Sequence, residues 1–305
     1  MPTKPPKKLL DRDLFKAFAR ERIDIATPLL QEVVNHGLAA FARCSHTAKD
    51  GDEKLAILMP YLHLLEMIDG VHILVADAAP DPAQLQLRSA FEALLTIEYI
   101  TRDDTMRRAH AYLVADIHRR LAKLREMVPG TEAWKRARKR MEADAVGRTL
   151  RLEGIVDAKA GIEKLEGLLQ KPHGRAANAA YQRAKKKRKG RPAWYELYGG
   201  PTSLELLATH LKRPAQYDIL YRPWSETSHA GDAIYRKLTK AKGGAPAVRQ
   251  LRDLSQFDTI VSLAVTFVLN ATIRVLNFYR PEEMPAFHRW YTREVRETYM
   301  KFGGS

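Results

Sequence analysis

Pro80-Asp81-Pro82-Ala83-Gln84-Leu85-Gln86-Leu87-Arg88-Ser89-Ala90-Phe91-Glu92-Ala93-Leu94-Leu95-Thr96-Ile97-Glu98-Tyr99-Ile100-Thr101 decides the fold class. Two prolines punctuate its start, where a missing N–H costs a helix nothing. Leu87, Phe91, Leu94 and Leu95 then recur three and four residues apart, the spacing of one helical face rather than the alternation of a strand. The stretch predicts a helix over about 83–101.

The same spacing continues outward in both directions. Leu29, Val33, Val34, Leu38 and Phe41 form one upstream stripe, and Ile57, Leu58, Leu62, Leu65 and Ile68 form another. Downstream, Asp103-Asp104 marks the start of a basic helix running to about Val128. Pro129-Gly130 ends it and Thr131 opens the next. Ser203 begins a short helix through Leu211, before Pro214. Gly243, Gly244 and Pro246 mark a loop, and two long helices, about 254–279 and 282–302, close the chain on either side of Pro281. No segment shows the two-residue alternation of a half-buried strand. The expectation is an all-α helical bundle.

Composition sets further bounds. The 305 residues carry 51 Lys+Arg against 36 Asp+Glu, a formal charge of +15 with a pI near 9.8. That field favours nucleic acid, anionic surfaces or acidic partners and says nothing of fold. Cys44 is the only cysteine, so no intramolecular disulfide forms and a Cys-rich zinc site is excluded. Met1 to Lys8 is basic and Pro-rich but lacks the apolar core of a signal peptide. The longest apolar run, Ile260 to Leu269, is too short to span a bilayer. A soluble, cytoplasmic protein with no membrane partner is expected.

The basic residues concentrate in the middle. Residues 131–193 are poor in large apolar groups, and seven of the nine from Arg183 to Arg191 are basic: Arg183, Lys185, Lys186, Lys187, Arg188, Lys189 and Arg191. Mutual repulsion argues against a packed helix over these nine residues unless an anion compensates, and 175–193 reads as a mobile or nucleic-acid-facing segment. The expected organisation is an N-terminal half-bundle (1–130), a protruding basic helical hairpin or arm (131–193), and a C-terminal half-bundle (194–305). The basic block is the candidate nucleic-acid-binding surface, with a solvated arm as the plainer reading. Trp194, Tyr195 and Tyr198 beside it could stack on bases or pack the base of the arm.

Two places could carry chemistry. Arg88 and Glu92 lie four apart on one helical face bordering the core; they are either an ion pair tying helices together or part of a site. Tyr221-Arg222-Pro223-Trp224-Ser225-Glu226-Thr227-Ser228-His229 sets a permanent planar donor fork, with six residues between, ahead of a side chain that exchanges protons near neutrality. The alternative is local capping by Ser225 and a hydrogen-bonded core His229. His63, Glu66, Asp69 and His72 lack the paired Glu-x-x-His pattern of a di-iron bundle. No phosphate-loop, dinucleotide or nucleophile-elbow motif occurs. Neither a metal nor a cofactor is expected.

Leu87-Arg88-Ser89-Ala90-Phe91-Glu92-Ala93-Leu94-Leu95 with Tyr99-Ile100, Trp194 with the short helix from Ser203, and the late Tyr217, Tyr221-Arg222, Ser225 and His229 together resemble a widespread bacterial family classed only as a domain of unknown function. The likeness spans roughly 54–280. An arginine followed within a few residues by histidine in a helical bundle also resembles, more loosely, the HEPN superfamily, many of whose members are metal-independent endoribonucleases of toxin–antitoxin and antiviral-defence systems. That resemblance implies catalytic roles for Arg222 and His229, supported by Ser225, Glu92 and Arg88, and a homodimer joining two motifs in one cleft. Pro223 departs from the small polar residue common after the arginine. Two other classes stay open: a non-catalytic nucleic-acid-binding subunit, RNA being favoured over DNA, and a helical module docking a partner protein from the same operon.

Overall fold

The computed structural model describes residues 10–47, 51–149, 158–187, 190–228, 234, 237–240 and 243–304. The fold is all-α, and a single short hairpin is the only sheet among the described residues. The chain divides into two compact units: Met1–Asp103 together with Ala208–Ser305, and Asp104–Leu207.

The first unit is built on four long helices. These are α2 (Arg20–Thr47, after the short α1, Arg12–Phe18), α3 (Asp52–Ala76), α4 (Pro80–Arg102) and a C-terminal helix, Phe257–Tyr279. Pro80 occupies the first turn of α4, Asp81 sits near its positive N-terminus and Arg102 near its negative C-terminus. Leu87, Phe91 and Leu94 of α4 are fully enclosed with Leu30, Leu65, Ile68 and Phe267. The Phe91 and Phe267 rings lie 5.7 Å apart. Each such side chain contributes about 1.5–3 kcal/mol of burial, which makes this core the main source of stability. Gly37 is what lets α2 and α3 close up, because a Cβ there would come within 2.5 Å of Leu65 Cδ2. Tyr61 Oη donates to Gly37 O at 3.2 Å and lies 2.7 Å from Thr272 Oγ1, so this polar link through the core is paired.

Glu53–Ala76 and Phe257–Tyr279 are long and apolar enough to cross a membrane, with mean hydropathies of 1.3 and 1.8. The longest apolar run missed this, because polar and charged residues (His63, Glu66, Asp69 and His72 in the first, Asn270 and Arg274 in the second) interrupt each helix while its mean stays apolar. Both helices contribute buried residues to the first unit's core.

In the second unit, α5 (Thr105–Arg125), α7 (Ala158–Gln170) and α8 (Pro172–Lys187) enclose a separate core of Val114, Leu121, Leu165, Leu169, Ala177, Tyr181 and Leu197. The His118 ring stacks on Tyr181 with centroids 4.0 Å apart, and its Nε2 lies 2.8 Å from Asn178 Oδ1. Thr131 caps α6 (Glu132–Glu142) by accepting from Trp134 N at 3.1 Å. This unit is wider than the 131–193 arm read from composition. It starts at Asp104 because the apolar stripe of α5 packs onto α7 and α8.

Three other features depart from the sequence reading. The region 175–193 is not an unpacked arm up to Lys187: α8 is a packed helix with Ala177, Ala180 and Tyr181 buried. Its basic residues stay on the exposed side, and Lys185, Lys186 and Lys187 fall at its C-terminus, where the helix dipole favours cations. A hairpin pairs Leu238–Lys240 with Pro246–Val248, Leu238 opposite Val248. Each strand has three residues and little burial, so it leaves no alternation to read.

The stretch expected as one helix over 282–302 is segmented into a 3-10 turn (Pro281–Glu283), Met284–Trp290, a π-helical turn (Tyr291–Val295) and Arg296–Met300. A π turn inserts one residue and rotates the helix beyond it. Trp290 before the turn stacks on His36 at 3.6 Å and donates to Glu32 Oε1 at 2.6 Å, and Tyr299 after it reaches Thr266 Oγ1 at 2.6 Å.

Candidate active site

The second half of the first unit returns to α4 through a tightly wound segment. After α9 (Leu204–His210) the chain forms a one-turn helix (Pro214–Gln216), a π-helical turn (Tyr217–Tyr221) and a helix of seven residues (Arg222–Ser228). Pro214 forces the new start, since the helix before it cannot continue through a proline. The π turn brings Tyr217 and Tyr221 into a stack with centroids 5.1 Å apart. Trp224, 6% exposed, anchors the Arg222–Ser228 helix in the core.

Tyr221 is the centre of the site. Arg88 Nη2 donates to its hydroxyl at 3.1 Å, and the hydroxyl donates to Glu92 Oε1 at 2.8 Å. Arg88 Nε lies 3.6 Å from the same Glu92 oxygen, and the Arg88 guanidinium sits 5.0 Å above the Tyr221 ring. The Phe91 ring flanks Tyr221 at 6.1 Å. Burial pushes the phenol up to about 12, with Glu92 adding to the shift and Arg88 opposing it. At neutral pH Tyr221 is therefore an uncharged relay that accepts from the cation and donates to the carboxylate.

Arg222 is the next residue in the chain. Its Nη2 lies 3.1 Å from Asp218 Oδ1, and its guanidinium is 5.4 Å from the Tyr217 ring centroid. Both members of that pair are about half exposed, 51% for Arg222 and 56% for Asp218. Such an exposed pair contributes at most about 1 kcal/mol, so a phosphate, which takes the guanidinium fork bidentately, can displace the aspartate. Ser225 lies one turn further along the same helix, half-buried.

The structure thus joins Arg88 and Glu92 through Tyr221, and attaches Arg222 to that cluster through the backbone. His229 lies outside the described residues, as do Arg188 and Lys189. Arg183, Lys185, Lys186 and Lys187 are all exposed on α8, and Arg191 is exposed beyond it. These belong to the second unit, whereas Arg88, Glu92, Arg222 and Ser225 belong to the first.

His63 Nε2 lies 2.9 Å from Ser89 Oγ and its Nδ1 3.5 Å from Glu66, which engages both ring nitrogens. Trp194 meets Tyr112 edge-on at 5.3 Å and packs the second unit, while Tyr198 is exposed.

Sequence reasoning missed two partners. Tyr221 is 129 positions from Glu92, and no spacing rule links them. Asp218 was legible only as a carboxylate four residues before Arg222, an i,i+4 pair on a helix. It also missed a neighbouring cluster: Glu98, 4% exposed, accepts from Arg213 Nε at 2.7 Å and Nη2 at 2.6 Å, with Arg274 Nε at 3.9 Å.

Residues 54–245 match a family of unknown function (DUF5677). The match covers more than half of the chain, which belongs to that family. No curated protein and no solved structure matches it.

Proposed function

We propose that this DUF5677 protein is an RNA-cleaving enzyme of the HEPN kind, a toxin or defence effector acting without metal through Arg222 and His229. One observation carries the reading furthest. The residue preceding Arg222 is locked by two hydrogen bonds to the Arg88–Glu92 pair, so the motif starts from a fixed point while Arg222 itself stays half exposed. An arginine that must meet a phosphate has to be held at its base and open at its tip, and Arg222 meets both conditions.

RNA supplies its own nucleophile. The 2′-hydroxyl attacks the adjacent phosphorus, the bond to the 5′-oxygen breaks, and the products are a 2′,3′-cyclic phosphate and a 5′-hydroxyl. His229 carries an imidazole, the side chain whose reference pKa of about 6.5 suits it to take the 2′-proton or deliver one to the leaving oxygen. Arg222 would neutralise the charge that grows on the non-bridging oxygens, and Ser225 would donate to one of them. The positioning residues are Arg88, Glu92 and Tyr221. A homodimer would set two motifs in one cleft.

The test is cleavage of a labelled single-stranded RNA in excess EDTA. The native chain should leave cyclic-phosphate ends, and His229→Ala should abolish them while melting at the native temperature. Undiminished cleavage by His229→Ala would exclude the mechanism.

A second reading is a non-catalytic nucleic-acid-binding subunit, favoured by the Asp218 carboxylate that already neutralises Arg222. It predicts binding that weakens steeply with salt and intact RNA.

A further inference from the structure

The second unit holds an open pocket of about 620 Å³ between the exposed side of α8 and the segment beyond Trp194. Its floor is apolar, formed by Ala180, Ala184 and Leu197. Arg183 and Lys187, four residues apart on one face of α8 and both exposed, stand along one wall. Tyr198, Gly199 and Thr202 form the other.

Tyr198 is the unusual member. Its φ of 62° and ψ of 26° place a bulky residue in the left-handed region, and Gly199 comes next at φ 82°. Aromatic residues adopt that conformation only where the surroundings impose it, and such positions gather at functional sites. Here Leu197, 4% exposed, is drawn into the core of the unit, and the reversal after it turns the next side chain outward, leaving Tyr198 39% exposed. The Arg107 guanidinium, 5.0 Å from the ring centroid, braces one side of the ring. A tyrosine buried for packing would not need this arrangement.

We propose that this pocket binds a nucleotide unit, with the base stacked on Tyr198 and its phosphate held by Arg183 and Lys187. The volume is that of a site for one small ligand. Base stacking on an exposed aromatic beside a basic groove is how single strands are held without regard to sequence. Glu196, a carboxylate in the lining, disfavours an anion filling the whole pocket and suits an amino-bearing base at one end. The inference does not rest on cleavage at Arg222: it concerns the other unit of the chain and stands if that unit only binds.

The experiment is fluorescence anisotropy of a labelled ten-nucleotide single-stranded RNA with the full chain, native and substituted at position 198. Tyr198→Gly removes the ring while accepting the left-handed backbone more readily than tyrosine does, so the variant should melt no lower than the native protein. It should bind at least about fivefold more weakly, since a stacked base is lost. Tyr198→Phe should bind within about twofold of native by the same stacking. Arg183→Ala should lower the slope of log K against log salt by about 0.7, one phosphate contact.

Competition by AMP or CMP would assign the pocket to a free nucleotide, and competition only by unlabelled strand would assign it to a unit within RNA. Either outcome, with the Tyr198 effect present, upholds the site. Native-strength binding by a folded Tyr198→Gly protein overturns it.

Discussion

Helix α4 carries two glutamates six residues apart that meet opposite fates. Glu98 is 4% exposed and takes both arms of the Arg213 fork, while Arg213 Nη1 also donates to Gln216 Oε1 at 2.8 Å. Glu92 is 47% exposed and reaches Arg88 mainly through the Tyr221 hydroxyl. The first cluster is closed, and each nitrogen of the Arg213 guanidinium already meets a protein acceptor. The second is open on one side and leads in the chain to a half-exposed arginine. Charge on a core helix thus serves two ends here: sealed, it locks the return segment to the bundle; left open, it positions a group for a ligand.

The closed cluster should carry the larger share of stability. Glu98→Ala leaves the Arg213 guanidinium buried without a carboxylate, and removing one partner of such a pair costs about 3–5 kcal/mol. Chemical denaturation of the variant checks this, and a loss near zero would place Glu98 with Glu92 in the open class. Tyr221→Phe removes only the relay oxygen. It should cost about 1–3 kcal/mol, the penalty for leaving Arg88 and Glu92 without that partner. It should also slow RNA cleavage, because Arg222 loses its fixed base. Equal losses for the two variants would erase the distinction between the clusters.

A smaller effect should appear in alkali. The Tyr221 phenol titrates near 12 in the folded chain against 10 when exposed. The folded state therefore holds this proton more tightly, and the associated stability is present below pH 10 and lost as pH rises towards 12. The difference in melting temperature between native and Tyr221→Phe proteins should shrink over that window. A difference that stays constant would mean the phenol is not buried as the structure has it.

The sequence made some of this plain and hid the rest for identifiable reasons. The periodic stripe from Leu87 to Leu95 and the prolines before it located α4 to within a few residues, because propensity and burial agree there. Arg88 and Glu92 were legible as partners because a helix makes four-residue neighbours. The apolar face of α8 was obscured by its own lysines: alanines at 177, 180 and 184 pack well but carry little hydropathy, so charge dominated the reading. Tyr221 and Arg213 were invisible as partners of α4, since their contacts span 129 and 115 positions. Both π turns belong to this class, for an inserted residue leaves no mark in composition.

Arg222→Ala should be the smallest perturbation of the fold, below about 1 kcal/mol because its ion pair with Asp218 is exposed. The most direct measurement is therefore the rate at which this variant and the native chain cleave single-stranded RNA in EDTA. The account predicts cleavage by the native protein and a loss of about 100-fold or more with Arg222→Ala at an unchanged melting temperature. Intact RNA with the native protein, or equal rates for the two, would contradict it.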